Sequence, residues 1–261
     1  FGTCEWLINF KKRASFRRRL LRIFGEDLTA GMARHISRRH FTRTRCDKLF
    51  YLIFDKLPRD KILRRVRFHN KEILDRALSK GKGVYATLSH HGSHHVAGLL
   101  MALMGYKVAG VRDRNEGALR RYVQDKYWQR FPELRDIKVF FADAFPRDLY
   151  RCLQEGRILA SALDVDRQRG SHLRTETVKI FGQRREFITG TMQIALRCGS
   201  PILQGFVISR KNFYFRLVVL PPLVDGEEVG DETAVLAGAM QKYADNIEAH
   251  VRAYPCHISK V

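Results

Sequence analysis

No apolar run in the sequence reaches the ~18–20 residues that a bilayer-spanning helix needs. Even the best stretch, Val96 to Val111, is interrupted by Lys107, so the chain as given is expected not to cross a membrane. The five cysteines, Cys4, Cys46, Cys152, Cys198 and Cys256, are scattered, odd in number and without C-x-x-C spacing. That excludes a zinc ribbon or a dithiol redox motif and fits a reducing setting. Internal repeats and low-complexity segments are lacking, as are helix-turn-helix, zinc-finger and RNA-binding signatures. Acidic residues are scarce as well, 27 against 48 lysines and arginines, for a formal net charge of +21 and a pI near 10.2.

Such a charge exceeds what solubility requires and implies a polyanionic partner surface: nucleic acid, anionic lipid headgroups or an acidic carrier protein. With no module that reads bases, nucleic acid ranks below the other two. What is present is ample material for a core. The 261 residues are 45% hydrophobic and 11% aromatic, enough for one globular unit to offset its ordering entropy.

Residues from Phe10 to about Leu57 read as helical. Apolar residues at turn spacing (Phe16, Leu20, Ile23, Phe41, Leu49, Ile53) are set among Arg17, Arg18, Arg19, Arg22, Arg38, Arg39, Arg43 and Arg45. Such a face either lies at an anionic lipid interface or packs on a core as an ordinary solvated helix. Trp6-Leu7-Ile8 followed by Lys11-Lys12-Arg13 resembles the interfacial end of an anchor helix with its positive flank, so a peripheral seat or a trimmed N-terminal anchor is expected. Pro58 closes this section. The organisation expected is a basic helical section, 1–57, and an α/β section, 58–261, folded as one unit.

Strand and helix then alternate. Val84–Leu88, Tyr106–Val111, Ile137–Phe141, Ile158–Leu163 and Ile202–Ile208 suit buried strands, and Val96–Met104, Gly117–Arg130, Arg147–Glu155 and Thr191–Cys198 carry helical spacing. Phe213–Leu220 reads as a strand paired with the one before it, and Asp231–Tyr254 as a closing helix capped by Asp231. The fold class implied is α/β: a largely parallel or mixed central sheet flanked by helices, with a basic helical N-terminal section.

The densest chemistry is Ser89-His90-His91-Gly92-Ser93-His94-His95, which follows the first good strand and precedes a helix. In an open α/β sheet that position faces the ligand crevice, and imidazole is the usual side chain for taking a proton from a hydroxyl. The same residues allow a metal reading. His90 with His94, or His91 with His95, stand at i and i+4, and a third ligand such as His172 or Asp166 would complete a set, although H-E-x-x-H is absent. The aromatic stripe Tyr122, Tyr127, Trp128 and Phe131 is expected to be core or interface.

Leu88-Ser-His90-His-Gly92-Ser-His-His95-Val-Ala97-Gly98 resembles the H-x-G-x-x-E segment of the bacterial lipid A biosynthesis acyltransferases, part of the wider lysophospholipid acyltransferase group with its H-x4-D/E signature. The likeness continues, in order, through Gly105 to Asn115, Leu153 to Gly156, Asp164-Val-Asp166-Arg-Gln168-Arg-Gly170, Phe181-Gly182 and Thr189-Gly190. Upstream it takes in Ala33 to Phe41 and Gly81 to Val84. It covers roughly residues 30 to 210.

The resemblance implies an O-acyltransferase in which His90 deprotonates an acceptor hydroxyl that attacks an acyl thioester, with no acyl-enzyme and no cofactor beyond the acyl-carrier-protein or acyl-coenzyme A substrate. It implies Asp166 and the residue at 95 as partners of His90. Gly92, Arg112, Arg114, Asn115, Arg167 and Gly190 become contacts for acceptor, donor or scaffold. The implied partners are anionic membrane lipids, a lipid or glycolipid acceptor and the acyl donor; the implied place is the cytoplasmic face of the bacterial inner membrane. One departure stands out: His95 occupies the family's Glu or Asp position. Either a neutral His95 takes over the orienting role, or an acid such as Asp164 or Asp166 supplies the charge, or the chain is a lipid-binding relative without turnover.

Overall fold

The computed structural model describes residues 2–112, 118–141, 146–164, 173–227 and 230–258, with Arg112 and residues 118–121 described by their backbone. The N-terminal section is three helices rather than one: α1 (Gly2–Ile8), α2 (Phe10–Phe24) and α3 (Ala30–Ile53). The breaks are capped. Asn9 accepts from the Lys12 amide at 3.1 Å, and Thr29 accepts from the Met32 amide at 3.1 Å, each satisfying an otherwise unpaired first-turn donor. Phe16, Leu20, Ile23, Ala33 and Ile36 are buried while Arg17, Arg18, Arg22, Arg38 and Arg39 stay exposed, so the apolar stripe faces the core and the charge faces out.

The rest follows as α4 (Arg59–Leu63), β1 (Val66–His69), α5 (Lys71–Ser79), β2 (Val84–Leu88), α6 (Ala97–Leu103), β3 (Val108–Arg112), α7 (Ala118–Arg130), β4 (Lys138–Phe141), α8 (Pro146–Gln154), β5 (Ile158–Ala162), β6 (Thr175–Ile180), β7 (Gln183–Ile188), α9 (Gly190–Arg197), β8 (Ile202–Ser209), β9 (Phe215–Val219) and α10 (Glu232–Ala253). Among the described residues seven strands form one sheet, in the order β1-β9-β8-β2-β5-β3-β4. Every pairing is parallel except β8 against β9, so the sheet is mixed and α/β as the alternation required. Asp231 caps α10 through the Thr233 amide at 3.1 Å.

Each face of the sheet carries its own core, because side chains alternate along a strand. Val84, Val108, Ile158, Leu203, Val207 and Leu217 pack with Phe50 and Phe54 near the end of α3 and with α5, α6 and α7. Tyr85, Ala109, Leu159 and Phe206 pack on the other side with α2, α8, α9 and α10. Both cores draw on residues before 58, so the N-terminal helices are built into the sheet's packing.

Two features escape the sequence reading. β1 with α5 was not foreseen, nor was the antiparallel hairpin β6–β7, whose turn is Phe181-Gly182 with φ +50° and +72°. Positive φ at both turn residues is the geometry that matches the twist of a two-residue hairpin. α10 holds the hairpin: Gln241 bonds both the amide and the carbonyl of Lys179, and Glu248 accepts from the Phe181 amide at 2.6 Å.

Candidate active site

β2 and β5 lie side by side in parallel, with Leu88 opposite Ala162. Two residues beyond each end come His90 and Asp164, so the register alone brings them face to face. The Asp164 carboxylate accepts twice from His90, at 2.9 Å from ring Nδ1 and at 2.8 Å from the backbone amide. A carboxylate only accepts, so Nδ1 carries the proton and Nε2 is left as the basic nitrogen. Just beneath, the Tyr243 hydroxyl from α10 donates to the Leu88 carbonyl at 2.7 Å and accepts from the Leu163 amide at 3.4 Å. Tyr243 thereby clamps the two strand ends from which the pair emerges. Burial pushes its phenol well above the ordinary tyrosine range, so it stays a neutral donor.

The loop that presents His90 is fixed from three sides. The Gly92 amide donates to the His257 carbonyl at 3.0 Å and the Ser93 amide to the Val207 carbonyl at 2.8 Å. The Ser93 hydroxyl donates to Asp47 at 2.7 Å, and Asp47 is paired with Arg43 at 2.5 Å on the same helix, α3. Arg43 and His40 both donate to the Cys256 carbonyl at 3.0 Å, tying α3 to the C-terminal turn. Gly92 is required here. Its φ is +83°, and a Cβ would stand 2.4 Å from the Val207 carbonyl oxygen.

The four histidines part company. His90, His94 and His95 line an open cavity of about 310 Å³ at the carboxyl edge of the sheet, floored by Ala160, Ser161 and Ala162 and walled by Tyr127, Trp128 and Val139. The His94 ring lies 5.2 Å from His90, and His95 packs edge-on to Tyr51 at 5.8 Å. His91 turns inward instead, buried 5.0 Å from His250 and 6.4 Å from His257. Burial lowers the pKa of His91 well below the usual value, lowers that of His250 to about 4, and lowers that of His257. His40 is lowered to about 4 by burial and then by Arg43. These four stay neutral, as packing groups.

The place expected for His95 behind His90 is held by Asp164, and His95 is a wall of the cavity. Asp166, Arg114, Asn115, Arg167 and His172 lie outside the described residues. Arg112 ends β3, beside the cavity residue Val111. Gly190 is exposed at the start of α9 and is not among the residues lining the cavity. Among the described residues no three His, Cys, Asp or Glu side chains are placed to hold a metal ion. Of the aromatic stripe, Tyr127 and Phe131 are core, Trp128 lines the cavity and Tyr122 is exposed. Asp164 was foreseen only as one of two candidate acids and Tyr243 not at all.

A histidine oriented by a carboxylate, lining a largely apolar cavity on an α/β sheet, can activate a hydroxyl beside a hydrophobic substrate. Over residues 2–256 the chain matches the family described as bacterial lipid A biosynthesis acyltransferase, and it belongs to that family. Acyl transfer in lipid A biosynthesis is the activity this membership implies. No single curated protein matches the chain.

Proposed function

We propose that this protein is a membrane-surface O-acyltransferase that moves a fatty acyl chain from a thioester, on acyl carrier protein or coenzyme A, to a hydroxyl of a lipid or glycolipid. The observation that carries the reading is the doubly bonded His90–Asp164 pair, with His90 lining the cavity. His90 Nε2 takes the proton of the acceptor hydroxyl as its oxygen attacks the thioester carbonyl carbon. The tetrahedral adduct expels the thiolate with the C–S bond pair, and the imidazolium returns the proton to sulfur. Asp164 fixes the tautomer and stabilises the imidazolium, the part assigned by resemblance to residue 95. The scheme needs no resident cofactor or metal.

The proposed seat is at the cytoplasmic face of the inner membrane, and the surface supports a peripheral attachment. Leu7, Ile8 and Phe10 are exposed just ahead of Lys11, Lys12 and Arg13, and the Arg13 guanidinium lies over the Trp6 and Phe10 rings at 4.8 and 4.6 Å. Among the described residues no helix is long and apolar enough to cross a membrane. The test is transfer of a labelled acyl chain from thioester to glycolipid by the wild type and by His90→Ala. Turnover lost in the variant with binding retained is the expected result; equal turnover in both overturns the assignment.

A further inference from the structure

A cavity of about 250 Å³ lies among the three N-terminal helices and shares no residue with the His90 cavity. The helical period builds it. On α3, Phe41, Thr44, Arg45 and Lys48 stand at i, i+3, i+4 and i+7; on α2, Lys12, Phe16 and Arg19 stand at i, i+4 and i+7. One stripe of each helix therefore faces the same space. Phe16 and His40, stacked ring on ring at 4.0 Å, close off one side, and burial keeps His40 uncharged.

The rest of the wall is charged, and unevenly. Lys12, Arg19, Arg45 and Lys48 meet a single acid, Glu5 of α1. Glu5 accepts from Arg45 Nε at 2.5 Å and from Lys12 at 2.9 Å, and the Arg45 bond above all holds its carboxyl down at about 2, so it stays ionised. That bridge ties α1 to α2 and α3 and fixes two of the cations in place. It offsets one positive charge of four, leaving an excess of three. Arg45 reaches Glu5 through Nε alone, and Lys48 pairs with no acid among the described residues. The Thr44 hydroxyl oxygen is buried without a hydrogen-bond partner, a state that native structures seldom leave unused.

A carboxylate would answer only one unit of this excess. A phosphate monoester carries about −1.5 to −2 at pH 7 on three acceptor oxygens, and a guanidinium meets it with a fork of donors. The cavity is smaller than the ~300–1,000 Å³ of sites for drug-sized ligands, so it suits a headgroup rather than a whole lipid. Leu7, Ile8 and Phe10, exposed between Glu5 and Lys12 in the sequence, give the same helices an apolar surface for which a free phosphate has no use.

We propose that this cavity binds the phosphate monoester of a lipid headgroup, with Arg45, Lys48 and Thr44 holding the phosphate while Leu7, Ile8 and Phe10 lie against the acyl region. The inference rests on the peripheral membrane seat proposed above, and acyl transfer has no part in it.

The test is co-sedimentation of the full chain with phosphatidylcholine vesicles, undoped, doped with phosphatidate, or doped with phosphatidylglycerol to the same surface potential. Inorganic phosphate is titrated separately. The wild type is expected to prefer phosphatidate by about tenfold or more, and Arg45→Gln with Lys48→Gln to abolish that preference. Arg17→Gln with Arg18→Gln removes the same two charges from exposed positions of α2; it should weaken binding to both doped vesicles alike and keep the preference. Lys48→Gln alone alters an exposed side chain, should retain the wild-type circular dichroism, and should cut the preference about threefold or more, so the proposal stays testable if the double variant misfolds. No preference in the wild type, a preference that survives in the pocket variants, or an equal loss in the α2 control overturns the proposal. Inorganic phosphate that binds the wild type and not the pocket variants, without a preference for phosphatidate, makes this a soluble-phosphate site and overturns the lipid assignment. Equal binding to undoped and doped vesicles overturns the membrane seat as a whole, whereas anionic binding blind to headgroup overturns the pocket alone.

Discussion

Asp164→Asn exchanges one oxygen for NH₂ and removes one charge, and its effect can be worked from two hydrogen bonds. The carboxylate accepts from the His90 amide at 2.8 Å and from Nδ1 at 2.9 Å. Asparagine has one oxygen and one NH₂. If its oxygen stays on the backbone amide, its NH₂ meets Nδ1, which must then accept. The ring proton moves to Nε2 and the base is blocked. If the amide is flipped, its NH₂ faces a backbone N–H, and two donors oppose each other at a cost of about 1–3 kcal/mol. Either way the productive tautomer is disfavoured. The imidazolium also loses a charge-assisted bond worth about 1.5–3 kcal/mol. Together these give about 3–5 kcal/mol of transition-state stabilisation, a fall in turnover of roughly 10²–10⁴. The assay is initial rate of transfer to a glycolipid acceptor at saturating donor, beside circular dichroism and donor binding, both of which should match wild type. Because the two residues act as a unit, Asp164→Asn added to His90→Ala should cost little more than His90→Ala alone. An Asp164→Asn enzyme within about fivefold of wild type would refute the tautomer argument.

His95→Ala should lower turnover by less than about tenfold, since His95 lines the cavity but does not orient His90, and a loss as large as that of Asp164→Asn would return the orienting role to it. Gly92→Ala should destabilise by about 1–3 kcal/mol and impair turnover, because φ is +83° and the new Cβ meets the Val207 carbonyl; an unshifted urea midpoint would count against it. Acid should weaken the fold early. His40 and His250 are lowered to about 4 when folded, so the unfolded chain binds protons first, and stability complete above pH ~6.5 is lost on the way down to about 4. Each costs about 1 kcal/mol between pH 6 and 5, with His91 and His257 adding in the same direction, and urea midpoints that do not move over that range would contradict this. The N-terminal section should bind anionic vesicles with about 1 kcal/mol per engaged Lys or Arg, weakening as salt rises, and equal binding to neutral vesicles at low salt would argue against it.

Buried strands announce themselves in sequence, polar ones do not. Val84–Leu88 and Ile202–Ser209 are apolar on both faces and hold their predicted places. β1 is four residues of alternating half-buried and exposed character at the sheet edge, and β6–β7 reads T-E-T-V-K-I and Q-R-R-E-F-I, patterns a loop could carry. His90 was legible from its place after a strand and before a helix. Asp164 was legible only as an acid near the other motif, because choosing it requires knowing that Leu88 and Ala162 are in register, which neither strand encodes alone. Tyr243 gives no signal, being one apolar position on a long helix. The run of histidines reads as one cluster, yet the sharp turn at Gly92 sends His91 to the core and His90 to the cavity.

The carbonyl of His257 that holds Gly92 belongs to almost the last described turn of the chain, while His90 belongs to its first half. Helices and strands near the start can form as they are made, since chains fold from the N-terminus during synthesis. The loop that carries His90 cannot settle with them. It waits for a carbonyl translated long after it, so a nascent chain carries His90 on an unsettled loop until His257 has emerged.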